Sequence, residues 1–252
     1  MIIVDRKNVG KVPSLTVVKA EKQGQALPTV VYFHGFTSAK EHNLPLAYLL
    51  AFEGYRVILP DSYLHGERER NMSKVKKQLA FWNIVLQNVE EIKQIREDLQ
   101  NKQLILNDRF GVAGTSMGGM TTSAVLTTYQ WVKVAAILMG TPKITLYAKQ
   151  LINEFSQQIK LPPKEEIDRL LKTLETYDLS KQISYLNQRP LFLWHGEKDS
   201  VVPFNHAYTF YQQARATYHK KKHISFLKEP GRGHKVSRRA IQETVQWFVK
   251  HL

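Results

Sequence analysis

The 252-residue chain contains no cysteine and no long hydrophobic run. The first absence excludes disulfide bonds, thiolate nucleophiles and cysteine-based metal sites. The longest run built only of alanine, aliphatic residues and methionine is 134–139, which is far too short to cross a bilayer. Residues 1–10 lack the long apolar core of a signal peptide. We therefore expect no membrane partner and a cytoplasmic location.

Acidic residues are scarce: Asp and Glu number 22 against 36 Lys and Arg, which gives a formal net charge of +14. A basic surface can attract nucleic acid, anionic lipid or acidic substrates. The basic residues are scattered, however, and the densest groups, 220–222 and 238–239, belong to no recognisable nucleic-acid-binding module. We interpret the charge as a solvated basic face and expect no nucleic-acid partner. A nucleic-acid-associated protein is the alternative.

Cofactor signatures are also missing. The sequence has neither a dinucleotide-binding fingerprint nor a phosphate-binding loop, and its histidines and carboxylates show no metal-ligand spacing. We predict that the protein uses no cofactor and no metal ion.

The most informative motif is the Gly-x-Ser-x-Gly pentapeptide 114–118, with Ser116 at its centre. An apolar run precedes it and a helix-compatible run, 121–129, follows it. This context predicts a sharp strand-to-helix turn that exposes the serine hydroxyl at the top of a sheet. Glycine suits both ends because a side chain at 114 or 118 would meet the neighbouring strand or helix.

A serine nucleophile needs a base, and the base needs an acid to orient it. Asp199 follows the strand-like run 190–194, and His234 lies in a glycine-rich loop after the run 224–227. Both residues occur in the chain order serine, acid, histidine that accompanies this kind of turn. We predict Ser116 as the nucleophile, Asp199 as the acid and His234 as the base.

Other residues compete for these roles. Asp61 also follows a predicted strand, but it precedes Ser116, which is the wrong order. Glu197 lies close to Asp199, but its loop would have to rearrange to reach the base. Among the remaining histidines, His195 directly follows a strand, and we expect it to pack near the acid loop.

The predicted buried strand 29–33 ends in His34-Gly35-Phe36. A His-Gly-x turn at this position typically gives one backbone N–H to an oxyanion hole, and the residue after the nucleophile gives the other. We predict Phe36 and Met117 as the two N–H donors.

These four motifs resemble the α/β-hydrolase superfamily, and in particular small bacterial serine esterases related to the prolyl-oligopeptidase and dienelactone-hydrolase branches. They span roughly residues 28–240 and so cover most of the chain. The resemblance implies an α/β-hydrolase fold and hydrolysis of carboxylic esters through an acyl-enzyme. Dienelactone hydrolases use a cysteine nucleophile, which this chain lacks. That specific activity is therefore disfavoured.

Predicted strands alternate with helical patterns, which is typical of a mostly parallel sheet flanked by helices. The strand candidates are 30–33, 56–59, 111–113, 135–139, 191–194 and 224–227. Antiparallel edge strands are expected in the first twenty residues, with 15–18 the best candidate. The helix candidates are 44–53, 74–99, 117–129, 205–218 and 236–250.

The segment 141–189 is longer than one connecting helix requires, and Pro162-Pro163 separates its two apolar helical faces. We interpret it as a helical cap inserted into a single domain, 1–252. The alternative is a helix pair packed away from the substrate. The predicted pocket residues are His34, His65, Met120, Leu151 and Phe155. The alternative for the two histidines is that His34 braces the oxyanion turn and that His65 hydrogen-bonds a loop.

The expected function is a carboxylesterase that cleaves short- to medium-chain esters, with a small-molecule ester as partner. The alternatives are a serine peptidase acting on acyl-aminoacyl substrates or short peptides, and a non-catalytic protein. The sequence does not indicate an oligomeric state.

Overall fold

Eight strands form one sheet, and eight α-helices are arranged around it. The computed structural model describes residues 1–252. The strands are β1 (Ile2–Val9), β2 (Val12–Lys19), β3 (Leu27–Phe33), β4 (Arg56–Pro60), β5 (Ile105–Thr115), β6 (Val134–Leu138), β7 (Leu191–Gly196) and β8 (Ile224–Glu229). The helices are α1 (Leu44–Phe52), α2 (Lys74–Leu79), α3 (Phe81–Asn101), α4 (Met117–Thr128), α5 (Ile144–Ser156), α6 (Lys164–Thr176), α7 (Phe204–Thr217) and α8 (Arg238–His251). None of these helices is both long and apolar enough to span a membrane.

The strand order across the sheet is β1-β2-β4-β3-β5-β6-β7-β8. Strands β3 to β8 are parallel to one another, whereas β1 and β2 form an antiparallel hairpin at one edge, with β2 antiparallel to β4. The predicted α/β-hydrolase fold is confirmed. Because the parallel strands all end at the same edge of the sheet, the loops after β3, β5, β7 and β8 come together there.

The sheet core follows the two-residue period of a strand. Within β3, Val31 and Phe33 face one apolar layer together with α3, α4 and α7, while Val30 and Tyr32 face the other with α1 and α8. Every residue of β3 is buried. A strand covered on both faces gives a continuous hydrophobic run, and for that reason its sequence shows no alternation.

Two elements differ from the sequence expectation. The helix predicted over 74–99 is divided at Ala80 into α2 and α3, and the first ring of α3, Phe81, packs edge-on against Phe36 at 5.4 Å between centroids. Strand β5 begins at Ile105, well before the predicted start, and it contains a distortion at Asn107 and Asp108. Both of these residues have positive φ.

The insertion 141–189 forms α5, α6 and two short 3₁₀ segments, Leu179–Lys181 and Ile183–Leu186. The buried Asp178 carboxylate accepts hydrogen bonds from Thr145 N at the start of α5 and from Ser180 N, at 2.9 and 3.0 Å. This contact ties the end of the insertion to its beginning. The start of α5 and the first 3₁₀ segment are thus fixed relative to each other.

Arg189 fixes the exit from the insertion. Its guanidinium is buried and donates to backbone carbonyls at the end of α4 and in the loop after it, including Leu126 O at 2.7 Å and Tyr129 O at 2.8 Å. Burial lowers the pKa of Arg189 to about 10. The side chain stays charged at neutral pH and satisfies carbonyls that the helix end leaves open.

Candidate active site

Ser116 lies in a strained turn between β5 and α4. Its backbone has φ 55° and ψ −113°, a conformation that non-glycine residues rarely adopt. Its N–H donates to Leu138 O at 2.9 Å, so the turn is held by β6. A Cβ atom at Gly114 would overlap the backbone of Gly118, and one at Gly118 would overlap Phe33 O. Close backbone contact explains the glycines, and it directs the half-buried serine side chain away from the sheet.

A hydrogen-bonded chain connects Ser116, His234 and Asp199. The distance from His234 Nε2 to Ser116 Oγ is 2.9 Å, and that from His234 Nδ1 to Asp199 Oδ2 is 2.7 Å. An ionised carboxylate can only accept, so Nδ1 carries the proton and Nε2 presents its lone pair to the serine hydroxyl. The structure therefore brings together the three residues that the sequence predicts, with His234 in the tautomer that a base requires.

The carboxylate of Asp199 is buried and fully used. Its Oδ1 accepts from Val201 N and Val202 N, each at 2.9 Å, while Oδ2 faces His234 and also lies 3.2 Å from His195 Nε2. Burial opposes ionisation, but the hydrogen bonds from His195, His234 and Val202 outweigh it and hold the pKa of Asp199 well below its usual value. This group is therefore negatively charged at neutral pH.

Backbone contacts hold the acid and base loops together. Lys198 N donates to Arg232 O at 2.9 Å, and Glu197 N donates to Glu229 O at 3.0 Å. A Cβ atom at Gly196 would overlap Arg232 O, so glycine allows this close approach. The loops that follow the parallel strands β7 and β8 therefore meet at one point.

The competing carboxylates are engaged elsewhere. Asp61 is buried and its Oδ2 lies 2.6 Å from Lys40 Nζ, which also contacts Glu67 at 2.7 Å. Burial opposes the charge of Lys40, but its hydrogen bonds to Asp61, Glu67 and Glu41 raise its pKa above the usual value. Glu197 is exposed and pairs with Lys228 at 3.2 Å. Neither Asp61 nor Glu197 is bonded to His234.

Two backbone N–H groups are free near Ser116. Phe36 N donates no hydrogen bond within the protein. Met117 is the first residue of α4, where an N–H has no acceptor in its own helix and carries the positive end of the helix dipole. Gly35 lies against the nucleophile turn, since a Cβ there would be 3.6 Å from Ser116 Cβ. These groups have the character that an oxyanion hole needs.

Residues 47–252 match the model of the prolyl oligopeptidase family. The chain belongs to this family. The resemblance drawn from the four motifs is confirmed, and the protein is a serine hydrolase.

Named relatives share the whole length of the chain. It is 42% identical to "Putative esterase YitV" of Bacillus subtilis (strain 168) over 255 aligned residues, and 29% identical to "Esterase YjfP" of Escherichia coli (strain K12) over 252, covering 100% of each chain in both cases. The crystal structure of TT1662 from Thermus thermophilus superposes with a TM-score of 0.78 over 100% of both chains, at 17% identity. At that identity the likeness concerns the fold.

A cavity of about 240 Å³ opens beside Ser116. Its nine lining residues, seven of them hydrophobic, are Phe36, Gln78, Phe81, Ser116, Met120, Tyr147, Leu151, Phe155 and Val201. Leu151 and Phe155 also line a smaller apolar cavity of about 60 Å³ behind it, between α2, α3 and the insertion. Met120, Leu151 and Phe155 thus lie where the sequence places them, on the wall of the space next to the serine.

His34 and His65 do not line this cavity, and their predicted place in the pocket is corrected. Both are fully buried, and both ring nitrogens of each are occupied. His34 Nδ1 lies 2.8 Å from Gly35 O and its Nε2 accepts from Ser62 N, while His65 Nδ1 lies 2.9 Å from Tyr63 O and its Nε2 accepts from Thr37 N. Burial lowers the pKa of His65 to about 4, so it stays neutral and braces the turn that carries Phe36.

The sequence did not indicate Gln78, Phe81, Tyr147 and Val201 as cavity residues. Tyr147 of α5 also donates its hydroxyl to Val201 O at 3.1 Å, which links the insertion to the loop of Asp199. Only Val201 could have been found, since it follows the acid closely; the other three have no local signature. The direction of their side chains depends on tertiary packing that no local pattern encodes.

Proposed function

We propose that this protein hydrolyses short- to medium-chain carboxylic esters through an acyl-enzyme on Ser116. The observation that carries the proposal is the hydrogen-bonded chain from Ser116 through His234 to Asp199. Ser116 Oγ attacks the ester carbonyl while its proton passes to His234 Nε2. Asp199 stabilises the imidazolium that forms and keeps the ring oriented.

The negative charge on the carbonyl oxygen is received by Phe36 N–H and Met117 N–H. Neither group must break a hydrogen bond inside the protein to accept this role, so little reorganisation is required. When the tetrahedral intermediate collapses, the carbon–oxygen bond to the alcohol breaks and the alcohol oxygen takes the proton from His234. Water then attacks the acyl-enzyme with His234 again as base, and the free acid leaves.

The apolar cavity fits the acyl group. A volume of about 240 Å³ lies at the small end for ligand pockets, which favours short and medium chains over long ones. Leu151 and Phe155 place the insertion on the wall of this cavity, and on that basis we propose that 141–189 acts as a cap that sets acyl length. The esterase names of both relatives support the ester as substrate class.

A fluorophosphonate probe tests the nucleophile. The wild-type protein should be labelled and Ser116→Ala should not, with kcat on esters reduced by about 10⁶. Persistent labelling of the alanine variant would refute the assignment.

A panel of p-nitrophenyl esters of increasing chain length, with a peptide p-nitroanilide as control, tests the substrate class. We expect the highest kcat/KM on short and medium esters and little cleavage of the amide. Preference for the amide would favour instead the peptidase activity that the family name suggests.

A further inference from the structure

A second cavity, of about 260 Å³, lies next to the nucleophile turn and is distinct from the apolar one. Thr115 and Lys235, which line it, are the sequence neighbours of Ser116 and His234. Two of its ten lining residues are therefore directly beside two of the three reactive groups. Nothing in the proposed acyl pocket shares this space, since the two cavities have no lining residue in common.

The two cavities differ in polarity. Four of the ten lining residues of the second cavity are hydrophobic, against seven of nine in the first. Its polar side chains come from Ser38, His42, Asn43, Thr115 and Lys235. An ester has two halves, and an enzyme with one apolar and one polar space beside its nucleophile can bind them separately.

The position of His234 indicates which cavity binds the alcohol half of the ester and which binds the acyl half. The leaving alcohol must take its proton from His234 Nε2, so the alcohol lies on the side of that ring. Lys235 follows His234 directly and lines the second cavity, so this cavity lies beside the base. The polar cavity is therefore the space for the alcohol, and the apolar one is the space for the acyl chain.

The charge in the polar cavity is of one sign. No carboxylate lines it, and Lys235 has no acidic partner within 4.0 Å. Glu41, the sequence neighbour of the lining residue His42, is already paired with Lys40 at 3.0 Å. Pro45 and Ile241 also line an adjoining shallow groove that contains Arg238, which supplies a second unpaired cation.

We infer that this cavity is an alcohol-side subsite for esters whose leaving group carries an anion, a carboxylate or a phosphate. The inference rests on the proposed ester hydrolysis. An exposed lysine beside the base attracts an anionic alcohol, and the net charge of +14 raises the local concentration of any anionic substrate.

The test compares three butyrate esters with the same acyl group, those of 4-carboxyphenol, 4-phosphonophenol and the neutral 4-carbamoylphenol. The measured quantity is the ratio of kcat/KM for each anionic ester to that for the neutral ester. Electronic differences between the leaving groups affect wild type and variant alike, so a change in this ratio isolates the charge contact. The carboxylate and phosphonate arms distinguish the two kinds of anion.

Lys235→Glu should lower the anionic-to-neutral ratio about tenfold, because it replaces one exposed attraction by a repulsion of similar size. Lys235→Arg should preserve the ratio. In the wild-type protein 0.5 M NaCl should reduce the preference, as expected for an exposed charge pair.

Lys222→Glu is the matched control. It makes the same change in net charge at an exposed site just before β8, at the opposite end of that strand from His234. The inference is overturned if Lys235→Glu leaves the ratio unchanged, or if Lys222→Glu lowers it equally, since the effect would then belong to the whole protein. If the wild type cleaves none of the three esters, ester hydrolysis itself fails, and the subsite with it. Cleavage of the neutral ester with an unaltered ratio refutes only the subsite.

Discussion

Asp199→Asn should remove activity while leaving the protein folded. The carboxylate accepts three hydrogen bonds, from Val201 N and Val202 N at Oδ1 and from His234 Nδ1 at Oδ2, and an amide has only one oxygen. If the amide oxygen stays with Val201 N and Val202 N, its NH₂ group faces His234 Nδ1. The imidazole must then accept at Nδ1 and carry its proton on Nε2, where Ser116 needs a lone pair. The opposite orientation places NH₂ against two backbone donors.

The expected loss of kcat follows from this change of the His234 tautomer. Loss of a correctly oriented base by the same substitution in a serine triad reduces kcat by about 10⁴, which corresponds to about 5.4 kcal/mol in the activation free energy. His195 does not compensate. Its Nε2 lies near the same NH₂ group but donates a hydrogen bond to Val202 O at 2.9 Å. To accept from the NH₂ group, His195 would have to lose that hydrogen bond. We expect KM to change far less than kcat.

The assay is steady-state hydrolysis of p-nitrophenyl butyrate, with the melting temperature measured for every variant. Glu197→Gln is the control in the same loop, and its exposed pair with Lys228 should matter little. Asp61→Asn should show the opposite behaviour: a lower melting temperature, because it leaves the buried Lys40 poorly paired, but retained kcat per folded molecule. The reasoning is refuted if Asp61→Asn reduces kcat as strongly as Asp199→Asn in a folded protein.

Three further outcomes are expected. Leu151→Trp, which fills space in the cavity beside the serine, should reduce kcat/KM for octanoate more than for acetate; equal loss on both would show that the insertion supports only the fold. Glu67 has its pKa lowered to about 2 by hydrogen bonds from Arg6 and Lys40, so its stabilising effect is complete above pH about 4.5 and is lost as pH falls toward 2. Glu67→Gln should therefore lower the melting temperature at pH 6 and weaken its dependence on pH in that window; an unchanged profile would contradict the pairing. Arg189→Met should reduce the free energy of unfolding by about 3 kcal/mol in urea titration, because several buried carbonyls lose their donor, and an effect below 1 kcal/mol would argue against this.

The fold and the residues beside Ser116 could be predicted because local patterns encode them. A glycine-flanked serine after a buried strand predicts a sharp turn, and the chain order of Asp199 and His234 follows from the topology of a parallel sheet. Strand positions were recovered wherever a strand is a plain hydrophobic run. The start of β5 could not be predicted, because the polar residues Asn107 and Asp108 interrupt that hydrophobic run. Both have positive φ.

The cavity wall could be predicted only in part. Leu151 and Phe155 belong to one helical face, and periodicity is enough to group them. Phe81 lies at the cavity where the helix is divided at Ala80, and Tyr147 lies there with its hydroxyl bonded to Val201 O. Neither feature has a sequence signature. His65 was misplaced for a related reason: a histidine after a strand end is equally compatible with a pocket and with a buried brace, and only its two hydrogen bonds decide.

The backbone conformation at Ser116 lowers the stability of the protein, although the proposed activity requires a serine there. A residue with a side chain at φ 55° and ψ −113° costs on the order of 1 kcal/mol that glycine would not, so Ser116→Gly should fold more stably than the wild type while losing its hydroxyl. A gene copy freed from selection for hydrolysis would thus gain stability from a mutation that ends catalysis. Under the proposed mechanism, a serine in this conformation is maintained by the reaction and not by the fold that holds it.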